Sequence, residues 1–127
     1  ELSLQSIDGD SGVKVNFLPV EFGDSAVSLA IDSGKITKNT TSVSIRIFNP
    51  NAKKAYMSVF LEGSGVVLAG DGVLYSGWNT IQINKLSSAN WKNVKKLKGL
   101  RFVFRVNDDE NILVYDGMTI TSVTVEE

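Results

Sequence analysis

The sequence predicts an all-β fold, a sandwich or barrel of short strands, on the basis of two observations. Apolar and polar residues alternate in short runs along most of the chain, a pattern that places one side of each strand in a core. Glycine, asparagine and proline residues separate these runs, as expected where tight turns join strands. A helix of one or two turns is predicted only between residues 87 and 98.

The predicted strands follow these runs in order along the chain. An Asn-Pro-Asn sequence at 49–51 separates the third run from the fourth, and Gly-Ser-Gly at 63–65 and Gly-Asp-Gly at 70–72 predict further turns. The last run is rich in threonine, whose β-branched side chain suits a pleated strand. The runs lie at residues 13–17, 27–31, 43–47, 57–61, 77–83, 100–106 and 119–125. The residues that they assign to the core are Val15, Phe17, Val27, Leu29, Val43, Ile45, Ile47, Val59, Leu61, Ile81, Ile83, Phe102, Phe104 and Val123.

Composition predicts a single domain over residues 1–127. This length suits one core, and 43% hydrophobic with 21% charged residues is ordinary globular composition. A net charge of −1 gives no field that would attract nucleic acid or an anionic membrane, and no apolar run is long enough for a membrane-spanning helix. The chain begins at Glu1 without a signal-peptide pattern, so we expect a processed chain or an excised module.

The absence of cysteine and histidine limits the available chemistry. It excludes disulfides, the usual zinc sites and the serine- and cysteine-hydrolase triads. A glycosidase would need two facing carboxylates, but the acidic residues at 108–110 are adjacent in a predicted turn and Glu62 has no obvious partner. We therefore expect no enzymatic activity.

Outward positions on the predicted strands carry groups suited to sugar binding. Aromatic rings stack on the C–H faces of sugars, while arginine, amide and carboxylate groups pair with sugar hydroxyls. The alternative is that these are ordinary solvated positions on a sheet. Trp78 lies at the start of the fifth run, where a tryptophan either contacts ligand or plugs the end of the sandwich, and Tyr75 lies in the loop before it. The candidate ligand-binding residues are Arg46, Tyr56, Ser58, Phe60, Glu62, Tyr75, Trp78, Gln82, Arg101 and Arg105.

The order of several of these motifs resembles that in the jelly-roll carbohydrate-binding modules of secreted enzymes that degrade plant polysaccharides. The motifs are the strand and Asn-Pro turn at 42–50, the Tyr56–Glu62 strand, Gly-Trp-Asn-Thr at 77–80, a loop with Trp91, the arginine-flanked strand at 101–105, and Tyr115 with Asp116. The resemblance covers about the C-terminal two-thirds of the chain. The first 35 residues match no specific pattern.

The resemblance implies both a fold and a function. The fold is a jelly-roll sandwich of two antiparallel sheets, and the function is non-catalytic binding of β-1,4-glucan, mannan or xyloglucan in a cleft on one sheet. We expect that cleft to be built from the strands around Arg46, Tyr56–Glu62, Gln82 and Arg101–Arg105. The family also implies an extracellular protein, a covalently linked glycoside hydrolase and a monomer, without nucleic-acid or membrane partners.

A structural calcium ion is the cofactor implied by the resemblance. Modules of this kind often bind calcium through an aspartate at the place of Asp116, and calcium prefers carboxylate and carbonyl oxygens from loops. The predicted ligands are Asp8, Asp10, Asp24 and Asp116. The alternative for Asp116 is a turn cap before Gly117, and the N-terminal motif usual in such modules is absent here.

Two other functions remain open at the level of sequence. One is a cohesin-like or surface-layer domain that binds another protein through an exposed sheet face. The other is a small carboxylate-dependent glycosidase. An exposed row of aromatic residues crossed by Gln and Arg favours the polysaccharide-binding function, whereas a flat apolar face favours protein binding.

Overall fold

The computed structural model describes residues 2–7, 9–15, 24–30, 36, 39–84, 94, 97–105 and 117–126, with no side-chain description for 2–5, 24–30 and 84. The described chain forms nine strands in two antiparallel sheets. The strands are β1 (Leu2–Ile7), β2 (Asp10–Val15), β3 (Asp24–Ala30), β4 (Ser42–Asn49), β5 (Ala55–Glu62), β6 (Val66–Leu74), β7 (Gly77–Asn84), β8 (Gly99–Arg105) and β9 (Met118–Glu126).

The strands are divided between two sheets that enclose one core. Sheet A has the order β1-β2-β9-β4-β7, and sheet B has the order β3-β8-β5-β6. Alternate apolar residues of β4 and β7 from sheet A, and of β5 and β8 from sheet B, form one buried cluster. The predicted all-β sandwich of two antiparallel sheets is therefore confirmed. Among the described residues, no helix has the length and apolar character needed to cross a membrane.

The predicted core is largely confirmed. Ten of its members are buried: Val15, Val43, Ile45, Ile47, Val59, Leu61, Ile81, Ile83, Phe102 and Phe104. Val123 is only partly buried, although it packs against the same cluster. Phe17, Val27 and Leu29 lie outside the residues whose side chains are described. Most of the predicted helix at 87–98 is likewise outside the described residues, but Val94 within it is helical and fully buried.

The prediction of a turn at Gly70-Asp71-Gly72 is wrong. Strand β6 runs through these residues and pairs with β5. A Cβ added at Gly72 would lie 2.5 Å from Ile81 Cδ1, and one added at Gly70 would lie 3.0 Å from Ile83 Cγ1. The glycines therefore let β6 of sheet B approach the side chains of β7 in sheet A, a use of strand glycine that resembles a turn signal in sequence.

The β1 strand was not predicted, because the alternation of Leu2 and Leu4 with Ser3 and Gln5 is short and breaks at Ser6. It pairs with β2 across a hairpin in which Ile7 lies opposite Asp10. Gly9 in this hairpin has a φ of 86°, a conformation that glycine adopts without strain.

The Asn-Pro-Asn turn after β4 is fixed by a buried side chain. The amide nitrogen of Asn49 donates to the carbonyl oxygens of Leu74 and Lys53, at 3.1 and 3.2 Å. Its Oδ1 accepts from the backbone and side-chain nitrogens of Asn51, at 2.9 and 2.8 Å. Since Asn49 is fully buried, these bonds satisfy an otherwise costly polar group and connect the end of β4 to the end of β6.

Candidate functional site

The structure places the predicted ligand-binding residues on two opposite faces of the sandwich. Arg46, Trp78 and Gln82 belong to sheet A, on β4 and β7, and their side chains alternate with core residues. The residues on β5 and β8, which are Tyr56, Ser58, Phe60, Glu62, Arg101 and Arg105, belong to sheet B. The prediction of a single cleft that includes Arg46 and Gln82 together with the sheet B residues is therefore wrong. The periodicity shows which residues leave the core but not which sheet carries them.

The outward surface of sheet B, here called the B face, is centred on two adjacent strands. Tyr56 lies directly opposite Arg105, and Phe60 lies directly opposite Arg101, in the β5–β8 register. Both aromatic side chains are half-buried, while both arginines are exposed. The two rings are four positions apart on β5, which corresponds to about 13 Å along the strand. The B face thus presents two aromatic surfaces with a guanidinium beside each.

Arg105 is anchored to the sheet by Ser58. The Nη2 group of Arg105 donates a hydrogen bond to Ser58 Oγ, diagonally across the two strands. Ser58 is only 2% exposed, although it points to the B face. Among the side chains that the structure describes, this hydroxyl is the one acceptor of the Arg105 guanidinium, whose other N–H groups have no acceptor in that set. Asp24 lies opposite Arg105 in the β3–β8 register, and its side chain is not described.

Arg101 and Glu62 form a looser contact at the other end of the face. Arg101 Nη1 lies 3.9 Å from Glu62 Oε2, and the two side chains are 44% and 28% exposed. An ion pair at this distance and exposure contributes little to stability. The contact with Glu62 therefore leaves the Arg101 guanidinium only weakly engaged.

Strand β6 extends the B face with residues that sequence reasoning missed. In the β5–β6 register Asp71 lies opposite Ser58 and Leu68 lies opposite Phe60. The side chain of Asp71 is exposed. Val66 and Leu68 are 47% and 50% exposed, so an apolar strip continues from Phe60 to the edge of the sheet. A register shift between Val59 and Phe60 leaves one extra residue on β6 and separates Asp71 from this strip. The glycines on either side of Asp71 had suggested a turn and concealed its position on a strand face.

The outward surface of sheet A, here called the A face, is organised around Arg46. Its Nη1 lies 2.8 Å from Asp10 Oδ2, and its Cζ lies 4.0 Å from the centroid of the Trp78 ring. Phe48 contacts the same tryptophan edge-to-face, with centroids 5.2 Å apart and planes at 65°. One face of the Trp78 ring is thus covered by a guanidinium that is itself paired with a carboxylate.

Beyond this cluster the A face carries short polar side chains. In the register of β7, β4 and β9, Gln82 lies opposite Ser44, which lies opposite Thr124. Thr80, Arg46 and Ser122 form the next row. Gln82 and Thr80 are exposed, and the aromatic residue that shares their strand and face is Trp78, which Arg46 covers.

Tyr75 belongs to neither face. It lies in the turn between β6 and β7 and is 62% exposed. The side-chain amide of Asn79 makes two hydrogen bonds to the backbone of this turn. Its Oδ1 accepts from the Tyr75 nitrogen and its Nδ2 donates to the Tyr75 carbonyl oxygen, both at 2.8 Å. The ring is therefore held at the end of the sandwich, on a turn whose backbone is fixed.

The structure does not test the predicted calcium site. Asp8 and Asp116 lie outside the described residues, as does Trp91, and the side chain of Asp24 is not described. Asp10 is paired with Arg46. Among the described residues no group of three acidic side chains could hold a metal ion. Asp10 begins β2 in sheet A, whereas Asp24 begins β3 in sheet B.

Comparison with known proteins supports the fold assignment. No family model matches the sequence, and no curated protein matches it. The structure is similar to a crystal structure described as a non-crystalline cellulose specific carbohydrate-binding module, CBM28. The TM-score is 0.72 at 11% sequence identity, and the match covers 99% of this chain and 80% of that chain. The jelly-roll fold and the predicted structural resemblance to carbohydrate-binding modules are therefore confirmed.

Proposed function

We propose that this chain is a non-catalytic carbohydrate-binding module that binds β-linked plant cell-wall polysaccharide on the B face. The observation that carries the proposal is the pairing of Tyr56 with Arg105 and of Phe60 with Arg101 across two central strands. Rings supply apolar surface for sugar C–H groups, and guanidinium and carboxylate groups supply donors and acceptors for hydroxyls. A face with both kinds of group fits an extended sugar chain.

The B face is favoured over the A face by the state of its aromatic rings. Among the described residues, neither Tyr56 nor Phe60 makes a ring–ring or cation–π contact. Their exposed surfaces are available to a ligand. On the A face, by contrast, Trp78 is already stacked against Arg46 and packed against Phe48. A sugar would have to displace an existing contact there.

The structural comparison and the charge of the B face support the proposed ligand class. The similar structure is described as specific for non-crystalline cellulose, which supports a β-1,4-glucan, with mannan and xyloglucan as related candidates. Among the B-face side chains that the structure describes, Arg101 and Arg105 are matched in number by Glu62 and Asp71, which suits a neutral chain. The choice among these glycans depends on which hydroxyls meet the polar groups.

The biological setting is part of the same proposal. A module of this kind acts by holding an attached glycoside hydrolase close to its polysaccharide, outside the cell. We propose this arrangement for the present chain, as a monomer without enzymatic activity of its own. The absence of histidine and cysteine from the sequence supports a binding role.

Affinity electrophoresis against soluble polysaccharides tests the proposal directly. Hydroxyethyl cellulose, glucomannan and xyloglucan in the gel should retard the protein, while a gel without polysaccharide gives the reference mobility. Retardation by at least one of these glycans is the expected result. Unchanged mobility in every gel would contradict the proposal.

A protein-binding domain, of the cohesin-like or surface-layer kind, is the second candidate. The specific observation in its favour is the exposed strip of Val66 and Leu68 beside Phe60. Exposed apolar patches on soluble domains often mark protein contacts. Retardation of the parent protein by glycan distinguishes the two functions, and Val66→Ser with Leu68→Ser should then leave that retardation nearly unchanged if Tyr56 and Phe60 carry the binding.

Calcium binding is a further proposal with its own test. An ion that binds only the folded state stabilises it by about 2.7 kcal/mol at a hundredfold excess over the dissociation constant. EDTA should therefore lower the melting temperature, and added calcium should restore it, while glycan affinity at room temperature stays nearly unchanged. A melting temperature that responds to neither reagent would remove Asp8, Asp10, Asp24 and Asp116 as ligands.

A further inference from the structure

Three arginines on the outward faces differ in how their guanidinium groups are occupied. Arg46 is paired with Asp10 and stacked on Trp78, and Arg101 lies near Glu62. Among the side chains that the structure describes, Arg105 has one partner, the neutral hydroxyl of Ser58. Arg105 therefore combines a fixed position with several N–H donors that have no acceptor among those side chains.

We propose that Ser58 is a positioning residue, which holds Arg105 in the orientation that binds sugar hydroxyls. This inference deepens the proposed function and rests on it. Ser58 lies on the B face but is only 2% exposed, so its hydroxyl has almost no surface with which to contact a ligand. Its effect on binding is exerted through Arg105, which is exposed.

The position of this pair explains why its orientation matters. Arg105 lies directly opposite Tyr56, and its side chain reaches diagonally to Ser58, between Tyr56 and Phe60 on β5. A sugar chain that covers both rings would pass over this guanidinium. Because a guanidinium is planar and its donors form a rigid fork, one fixed N–H sets the direction of the others.

Holding the group before ligand arrives also lowers the cost of binding. A free arginine side chain on a surface samples many rotamers, and a ligand that orders it must overcome that entropy. The bond to Ser58 removes part of this freedom in the unbound protein. The geometry thus assigns Ser58 to pre-organisation and Arg105 to ligand contact.

A double-mutant cycle tests this assignment with hydroxyethyl cellulose as the probe. Ser58→Ala should weaken binding by about fivefold, the value expected for loss of one ordinary hydrogen bond. In the Arg105→Ala background the same substitution should have almost no effect, because the group that it positions is gone. Ser58→Thr keeps the hydroxyl and should restore most of the affinity.

Nuclear magnetic resonance of the unbound protein supplies an independent readout. Rotation of the Arg105 guanidinium should be hindered in the parent protein and become faster in Ser58→Ala, while Arg101 serves as the internal control. Equal losses from Ser58→Ala in both backgrounds, or unchanged affinity in the parent background, would overturn the positioning role. If the parent protein binds none of the glycans, the proposed function fails as well, and the failure is recognised by the lack of any retardation.

Discussion

The A face and the B face contain similar residue types but differ in what those residues contact. Each face has arginine beside aromatic rings. On the A face the components are joined to one another, since Arg46 contacts both Asp10 and Trp78. On the B face, within the part of the chain that the structure describes, the rings of Tyr56 and Phe60 make no ring–ring or cation–π contact, and Arg105 bonds to the Ser58 hydroxyl alone.

This difference shows that composition alone does not identify a binding surface. An arginine stacked on a tryptophan and paired with a carboxylate connects strands β2, β4 and β7 and stabilises sheet A. An arginine held through one of its five N–H groups is instead prepared for a ligand. The comparison leads to three predictions, which affect the shared core, the B face and the A face in turn.

The largest effect on stability is expected in the core between the two sheets, where β6 packs against β7. Gly72→Ala should destabilise the domain by about 1–3 kcal/mol, because the new Cβ would lie 2.5 Å from Ile81 Cδ1. Thermal unfolding would show this as a fall of several degrees. Adding Ile81→Val removes the clashing methyl group and should recover part of the loss, whereas a double variant no more stable than Gly72→Ala would contradict the close-approach explanation.

The second prediction concerns the rings of the B face. Tyr56→Ala combined with Phe60→Ala should weaken glycan binding by about thirtyfold, if each ring contributes about 1 kcal/mol. Affinity electrophoresis measures the loss, and circular dichroism checks that the fold is intact. Gln82→Ala on the A face is the matched control and should bind as the parent does. Loss of binding in the control instead would move the site to sheet A.

The smallest effect is expected from the A face cluster. Arg46→Ala should lower the free energy of unfolding by about 1 kcal/mol. Exposed ion pairs and exposed cation–π contacts each contribute up to about 1 kcal/mol. Glycan affinity should not change. Arg46→Lys keeps the charge but loses the planar stacking, so its melting temperature should be intermediate. A large affinity loss in Arg46→Ala with unchanged stability would contradict a structural role.

The sequence by itself determined the fold class and most of the core. The alternation in β4, β5, β7 and β8 identified buried residues correctly, because a strand with one face in a core must place every second side chain there. It also identified Tyr56, Phe60, Arg101 and Arg105 as outward residues, as the structure confirms. Their role as ligand contacts stays a prediction.

Prediction from local sequence pattern was wrong where the position of a residue depends on a contact with a strand distant in sequence. Gly70 and Gly72 resemble turn residues until β7 is seen to pack against them. In β9, a register shift opposite Arg46 and Ile47 changes the alternation, so that Ile120 and Val123 both face the core side. A bulge depends on the pairing of two strands and leaves little trace in the sequence of one.

Only the tertiary structure decided which outward residues share a surface. Period-two alternation distinguishes inward from outward side chains, but the pattern is the same whichever sheet contains the strand. Strand order assigns β4 and β7 to one sheet and β5 and β8 to the other, and this separates Arg46 and Gln82 from Tyr56 and Arg105. The physical reason is that the long-range pairing of strands, which fixes the sheets, is set by how the whole chain buries its apolar residues.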